Sequence, residues 1–305
     1  MTAEDPKLYF DVPDELSGTR ADRFLADQLE ELGRRGVARL FAQGDVRING
    51  RRCAKGDCVA VGDLVEVLAP DVTAQADPKA PFSLRHENEH YVVIAKPAGQ
   101  ASAPLSIGEL GTAANALVAR YPEMACIGFR LREPGLLHRL DTDTSGLLLA
   151  ARTTEAFQIL LDAFADGSLH KTYLAIVEGT DFPDSIVVNT LIRPHPKSPR
   201  KVESLPASEK PSARQTEFRI VKRSQRRCLV EATVTRAYRH QVRVQLAGLG
   251  YPIVGDELYG GHPIPDAGSR HALHANCLRW SGTQALAGFT CEEELPADML
   301  ELLAD

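Results

Sequence analysis

Residues 135–152 read GLLHRLDTDTSGLLLAAR. An Arg-Leu-Asp triplet runs into a loop of Asp141, Thr142, Asp143, Thr144, Ser145 and Gly146, and the apolar run 147–151 follows at once. The pattern presents a carboxylate at a strand-to-loop edge, with Arg139 two residues away and a glycine that permits a tight backbone. A fold that uses an ionised Asp as a nucleophile needs such a mounting. Asp and Ser also fill turns for purely local hydrogen-bonding reasons, so the loop alone leaves both readings open.

Outward from this loop, 154–165 has helical spacing, with Phe157, Leu160, Leu161 and Phe164 on one face and Gly167 at its end. Strand-like segments lie at 91–95, 136–140, 147–151, 172–177, 216–221, 228–235 and 273–278. A helix is expected at 112–120, and another over 235–249 with a strained entry. The proline-broken basic stretch 193–201 reads as a mobile loop suited to clamping RNA. Strands mixed with helices, without regular βαβ alternation, predict an α+β domain around a largely antiparallel sheet with flanking helices.

Upstream, 70–83 is polar, with alanine and proline, and reads as a linker. Residues 1–16 read as an irregular arm. Between them, Ser17 or Thr19 is placed to cap a helix carrying Ala21, Phe24, Leu25, Leu29 and Leu32, which Gly33 ends. A second short helix stops at Gly44, a strand covers 45–48, and Asn49-Gly50 makes a hairpin turn. The division is therefore 1–16, 17–69, 70–83 and 84–305.

With 305 residues there is room for two domains. No apolar run approaches the roughly 20 residues that span a bilayer, and the acidic N-terminus has no signal-peptide pattern; the expected location is the cytoplasm. The six cysteines form no metal-spaced cluster, and no phosphate-cradling glycine loop occurs, so neither a metal nor a cofactor is expected. A net charge of −6 argues against a nucleic-acid partner. Its distribution argues the other way: Arg219, Lys222, Arg223, Arg226, Arg227, Arg236, Arg239 and Arg243 stand against one acid, Glu231, in a 25-residue stretch.

Five strings occur in order: IAKPAG at 94–99, HRLDTDTSGLLLAAR at 138–152, KTYLAIVEG at 171–179, RHQVRVQLAGLGYPIVGDELYG at 239–260 and LHA at 273–275. Over about residues 84–300 the chain resembles the RluA-type pseudouridine synthases of the larger, ribosomal-RNA-modifying kind. Residues 17–69 resemble the S-four-like RNA-binding domain, through the helix starting at Arg20, the GDVRING turn and the late VGDLVEV. The resemblance implies a cofactor-free isomerase, acting as a monomer, that cleaves the N-glycosidic bond of a uridine in RNA, turns the uracil and rejoins it through carbon five. It implies ribosomal RNA as the partner, with tRNA the alternative.

By that resemblance Asp141 is the nucleophile, Tyr173 the tyrosine that stacks on the flipped uracil and helps move a proton, and Arg243 the arginine that pairs with the aspartate. Arg139 would intrude on the RNA helix, with Lys96, His240 and Arg239 as further substrate contacts. Arg34, Arg35, Arg47 and Arg51 would bind RNA in the small domain. The pattern departs at one place. The family usually has Gly-Arg-Thr before His-Gln-Ile-Arg, whereas Ala237-Tyr238-Arg239 stand here before His240-Gln241-Val242-Arg243. This motivates the alternative of a non-catalytic RNA-binding or ribosome-assembly protein on a synthase scaffold. A carboxylate-pair glycosidase would need a second acid, for which Asp143 is the sequence-local candidate.

Overall fold

A computed structural model describes the chain except for residues 1–6, 30–31, 69–72, 107, 129, 131, 208–212, 236, 265–269 and 305, and the side chains of Lys7 and Arg35. The expected roles of Arg35 and Arg236 therefore lie outside the described residues.

The N-terminal part builds a four-stranded sheet from β1 (Lys7–Asp11), β2 (Val46–Ile48), β3 (Arg51–Arg52) and β4 (Leu64–Leu68), in the order β1-β4-β2-β3. Two helices, α1 (Ala21–Gln28) and α2 (Gly33–Gln43), close its core, in which Phe24, Leu25, Val37, Leu40, Val46, Val65 and Val67 are buried. Asn49 and Gly50 both have positive φ, 51° and 78°, as a two-residue hairpin of this twist demands. Three expectations fail here. The arm is not irregular throughout, because Lys7–Asp11 pairs antiparallel with Leu64–Leu68. Neither Ser17 nor Thr19 caps α1, whose N-cap is Arg20 without a side-chain bond. Gly33 opens α2 rather than ending α1.

The linker is also less free than its composition suggests. Thr73 and Ala74 are buried, Ala74 in the core of the larger part, and the Asn115 side chain donates to the Gln75 carbonyl at 2.6 Å. Only its first residues, 70–72, are outside the described set.

The larger part is a ten-stranded sheet formed by β5 (Ser83–Glu87), β6 (Tyr91–Lys96), β7 (Ser145–Ala151), β8 (His170–Glu178), β9 (Ser185–His195), β10 (Ser198–Pro206), β11 (Arg214–Arg223), β12 (Arg227–Val234), β13 (Leu273–Gly282) and β14 (Ala287–Glu292). The order is β10-β9-β11-β12-β8-β13-β7-β6-β5, with β14 on β13, and every pairing except β13 with β7 is antiparallel. This is the expected α+β class with a largely antiparallel mixed sheet. β6 and β7 are buried at every position, so both faces of the sheet are covered there, and continuous apolar runs replace alternation. Helices α3 (Ala113–Arg120) and α4 (Thr154–Asp166) begin on the threonine caps Thr112 and Thr153, and α4 ends on Gly167 at φ 84°.

Elsewhere in this part the sequence reading is corrected. Residues 136–140 contribute one isolated bridge, Leu136 to Ala150, instead of a strand. The stretch 193–201 is a paired hairpin, β9 against β10, rather than a loop. Pro199 falls where the register slips between Ser198 and Val202, Pro196 lies in the turn between the strands, and Pro194 pairs with Val202. The helix expected over 235–249 is α5 (Gln241–Gly248), and its entry is strained, with His240 at φ 55°. A short α6 (Ala297–Glu301) follows near the C-terminus.

Candidate active site

The loop 141–144 ends where β7 begins, and three anchors fix it. The KPAG turn supplies the first: Gly99 N–H and Lys96 Nζ both donate to the Thr142 carbonyl, at 2.9 and 3.0 Å. Ser102 supplies the second, accepting from Leu140 N–H and donating to its carbonyl. Strand β13 and the residues just before it supply the third, through Thr144 to His271 Nε2 at 2.7 Å and Ser145 to His274 Nδ1 at 2.8 Å. Gly146, at φ 111°, faces Ala275 so closely that an added Cβ would lie 2.2 Å from its carbonyl oxygen. The glycine is therefore required where β7 meets β13.

The loop presents Asp141 to Arg243, on the first turn of α5. Arg243 Nη1 donates to Asp141 Oδ2 at 2.7 Å, while its Nε and Nη2 grip both oxygens of Asp256 at 2.7 and 2.8 Å. A cation near a helix N-terminus opposes the macrodipole; two carboxylates offset that cost. The Asp256 side chain is 1% exposed and that of Asp141 25%, so one anion anchors the arginine and the other is presented to solvent. Burial opposes ionisation of Asp141, but the Coulombic pull of His240 and the charge and hydrogen bond of Arg243 together outweigh it and hold the carboxyl below its usual range.

His240 Nε2 stands 3.6 Å from Asp141 Oδ1. Its Nδ1 meets the Tyr259 hydroxyl at 2.8 Å, and that hydroxyl accepts from Val202 N–H at 2.9 Å. Burial pulls His240 down to about 4, so the ring is neutral at pH 7. The Tyr259 ring lies edge-on to His240 and 5.2 Å below the Arg243 guanidinium. Sequence reasoning missed Asp256 and Tyr259; both stand in the string 239–260, and their contribution depends on how 249–260 folds back on α5.

Asp141, Arg139, Asp143, Tyr173, Arg239, His240 and Arg243 line one cavity of about 1240 Å3. Tyr173 on β8 is buried, and burial together with Asp141 pushes its phenol up, so it stays protonated at neutral pH. Asp143 lines the same cavity, but the acid coupled to Asp141 through a shared partner is Asp256, across a guanidinium. Arg139 pairs with Glu133 at 2.7 Å and is half exposed. Arg239 donates to the carbonyls of Pro199 and Arg200, at 3.0 and 2.8 Å, which ties α5 to the hairpin.

Lys96 serves the turn rather than the cavity: it is 1% exposed, stands outside the cavity lining, and its ammonium donates to three carbonyls, those of Pro97, Gln100 and Thr142, so it positions the loop. Burial pulls Lys96 down to about 7, yet three acceptors are matched only by the three protons of the ammonium, which keeps it charged. Arg34, Arg47 and Arg51 are exposed in the small N-terminal part, outside the cavity lining.

Lys171 went unremarked in the sequence, although KTY alternation puts it on the same face as Tyr173. It lines the cavity at 4% exposure, with its ammonium 4.4 Å from the centre of the Phe164 ring, and burial pulls it down to about 8. Between that value and the unfolded 10.5 the unfolded chain binds more protons, so Lys171 makes stability rise with pH across that window. Lys171→Met is expected to stabilise the fold at pH 7 by about 2–3 kcal/mol and to flatten the pH dependence between 8 and 10, as read by urea unfolding at each pH.

Comparison with known proteins matches these elements. The family model for RNA pseudouridylate synthase covers residues 90–248. The chain belongs to this family. The synthase is 33% identical to the ribosomal large subunit pseudouridine synthase D of Xylella fastidiosa, over 96% of this chain and 90% of that protein. It is 36% identical to an RNA pseudouridine synthase of Chloroflexus aurantiacus that is uncharacterised, over 88% of this chain and 83% of that one. Human RNA pseudouridylate synthase domain containing 1 superposes with a TM-score of 0.53 at 21% identity, covering 74% of this chain and 96% of that one, a likeness of fold. The synthase is an isomerase whose substrate is RNA. Among the described residues no helix is long and apolar enough to cross a membrane.

Proposed function

We propose that this synthase converts uridine to pseudouridine in large-subunit ribosomal RNA, with Asp141 as its nucleophile. One observation carries the assignment. Asp141 is the solvent-facing member of a carboxylate–guanidinium–carboxylate chain whose other end, Asp256, is buried behind the arginine. An anion that must stay ionised while a flipped base covers it needs such a counter-charge. The chemistry builds positive character at the anomeric carbon as the glycosidic bond breaks, and Asp141 captures or stabilises it. Tyr173, uncharged and planar, suits stacking on the uracil and carrying a proton at its hydroxyl. His240, neutral at pH 7, stands 3.6 Å from Asp141 and leaves Arg243 as its hydrogen-bonding counter-charge. Names of relatives support the ribosomal substrate.

The exposed Arg34, Arg47 and Arg51 fit a second RNA contact by the N-terminal part, on a synthase that acts as a monomer in the cytoplasm. Incubating the protein with large-subunit rRNA and mapping pseudouridine tests the reading; absence of any new pseudouridine would overturn it. Replacing Arg47 and Arg51 together by Gln is expected to lower the slope of log Kd against log salt by about 2, while the isolated conversion step at saturation keeps its rate.

A further inference from the structure

The segment before His240, where this chain departs from Gly-Arg-Thr, is held in a defined place. Tyr238 N–H donates to the Gln241 side chain at 2.9 Å, which fixes it to the entry of α5. Arg239 binds the same segment to the carbonyls of Pro199 and Arg200 in the β9–β10 hairpin. Tyr238 thus sits between two elements that are joined to each other. Its side chain takes no part in the hydrophobic core; it is 36% exposed and lines the mouth of the cavity that holds Asp141.

Two further features suit this ring to a base. The Arg214 guanidinium lies 5.7 Å from its centroid, a cation–aromatic pairing that rigidifies the ring and leaves it open to stacking. Arg200 and Arg214 both line the same cavity as Tyr238, where they would meet the phosphates of a strand passing it. Tyr238 is two residues from His240, at most about 7 Å of chain, and His240 touches on Asp141. A nucleotide beside a uridine seated on Asp141 falls within its reach.

We propose that Tyr238, backed by Arg214, is a stacking platform for an unpaired base adjacent to the target uridine, and so sets which sequence context this synthase accepts. The inference rests on the reading of a uridine in ribosomal RNA as substrate. An arginine at this position would serve mainly a phosphate, which carries no sequence information. A tyrosine face selects for a stacked base, and its two side-chain torsions cost little to order.

The test uses full-length protein and rRNA fragments containing the modified uridine, with an abasic nucleotide placed on either side in turn. Tyr238→Ala is expected to raise KM at least about fivefold, the loss lying in KM rather than kcat, and Tyr238→Phe is expected to restore it. One of the two abasic fragments should raise KM for the wild type and have no further effect on Tyr238→Ala. An unchanged KM in Tyr238→Ala, failure of Phe to rescue, or an abasic penalty that persists without the ring would each overturn the platform while the substrate reading stands. If the wild type modifies no rRNA, the substrate reading falls and the platform with it.

Discussion

Asp141→Asn is expected to lower the rate of pseudouridine formation by about 10⁴-fold or more, the scale seen when a nucleophile is removed, in a protein that remains folded. The amide is the same size and still accepts from Arg243 Nη1, which donates to it at 2.7 Å in the native chain. Arg243 keeps its bidentate pair with Asp256, so no buried charge is left alone. Unfolding by urea should therefore change by about 1 kcal/mol or less, and RNA affinity should stay within a few fold. Retained activity would show that the carboxylate is not the reacting group; a large loss of stability would show that it is chiefly structural.

The second large effect concerns Arg243, and it joins stability to pH. Arg243→Met strands Asp256, 1% exposed, as an unpaired buried anion, and is expected to cost about 3–5 kcal/mol. Arg243→Lys keeps a positive charge but cannot fork between two carboxylates; it is expected to cost about half as much and so to yield a folded enzyme for kinetics. In the native protein His240 and Arg243 together hold Asp141 below its usual range, Arg243 being the one that also donates a hydrogen bond to it. The ionised form is therefore favoured by folding above the unfolded value of about 3.9, and that contribution is lost as pH falls through the lowered folded value. Weakening the counter-charge raises the folded value. The acid limb of kcat/KM in Arg243→Lys is expected to move to higher pH, with kcat reduced about 100-fold or more, in line with loss of a preorganised charge partner. An acid limb that stays in place would separate Arg243 from the ionisation of Asp141.

The larger fold was legible in the sequence where each element closes on itself. The α4 helix carries its own cap, apolar face and terminal glycine within 153–167. The buried strands β6 and β7 read as continuous apolar runs, and the Asn49-Gly50 turn needs only its two residues. Elements that depend on a distant partner were not legible. Lys7–Asp11 is a strand because Leu64–Leu68 lies alongside it, and the basic, proline-containing 193–201 forms a hairpin because its arms pair with each other, β11 holds the base of β9 at 185–190, and Arg239 bonds to Pro199. Ala237 and Tyr238 stay out of α5 because the Gln241 side chain is turned back onto Tyr238 N–H and the β11 residues Gln215 and Thr216.

The opening stretch shows the same division at the scale of one side chain. By itself the sequence indicated that 141–146 is a loop leading into a buried strand, that a glycine there permits a tight backbone, and that Asp141 and Asp143 are both displayed. The resemblance singled out Asp141, and the tertiary structure supplies the physical difference between the two. A carboxylate acquires its working charge state from a guanidinium within hydrogen-bond reach, and that guanidinium stands 102 residues away along the chain. The arginine in turn is aimed by Asp256, and the backbone under Asp141 is braced by the ammonium of Lys96. Coulombic and hydrogen-bonding partners act through space over a few ångströms, and a sequence specifies that distance only once the sheet has brought its ends together.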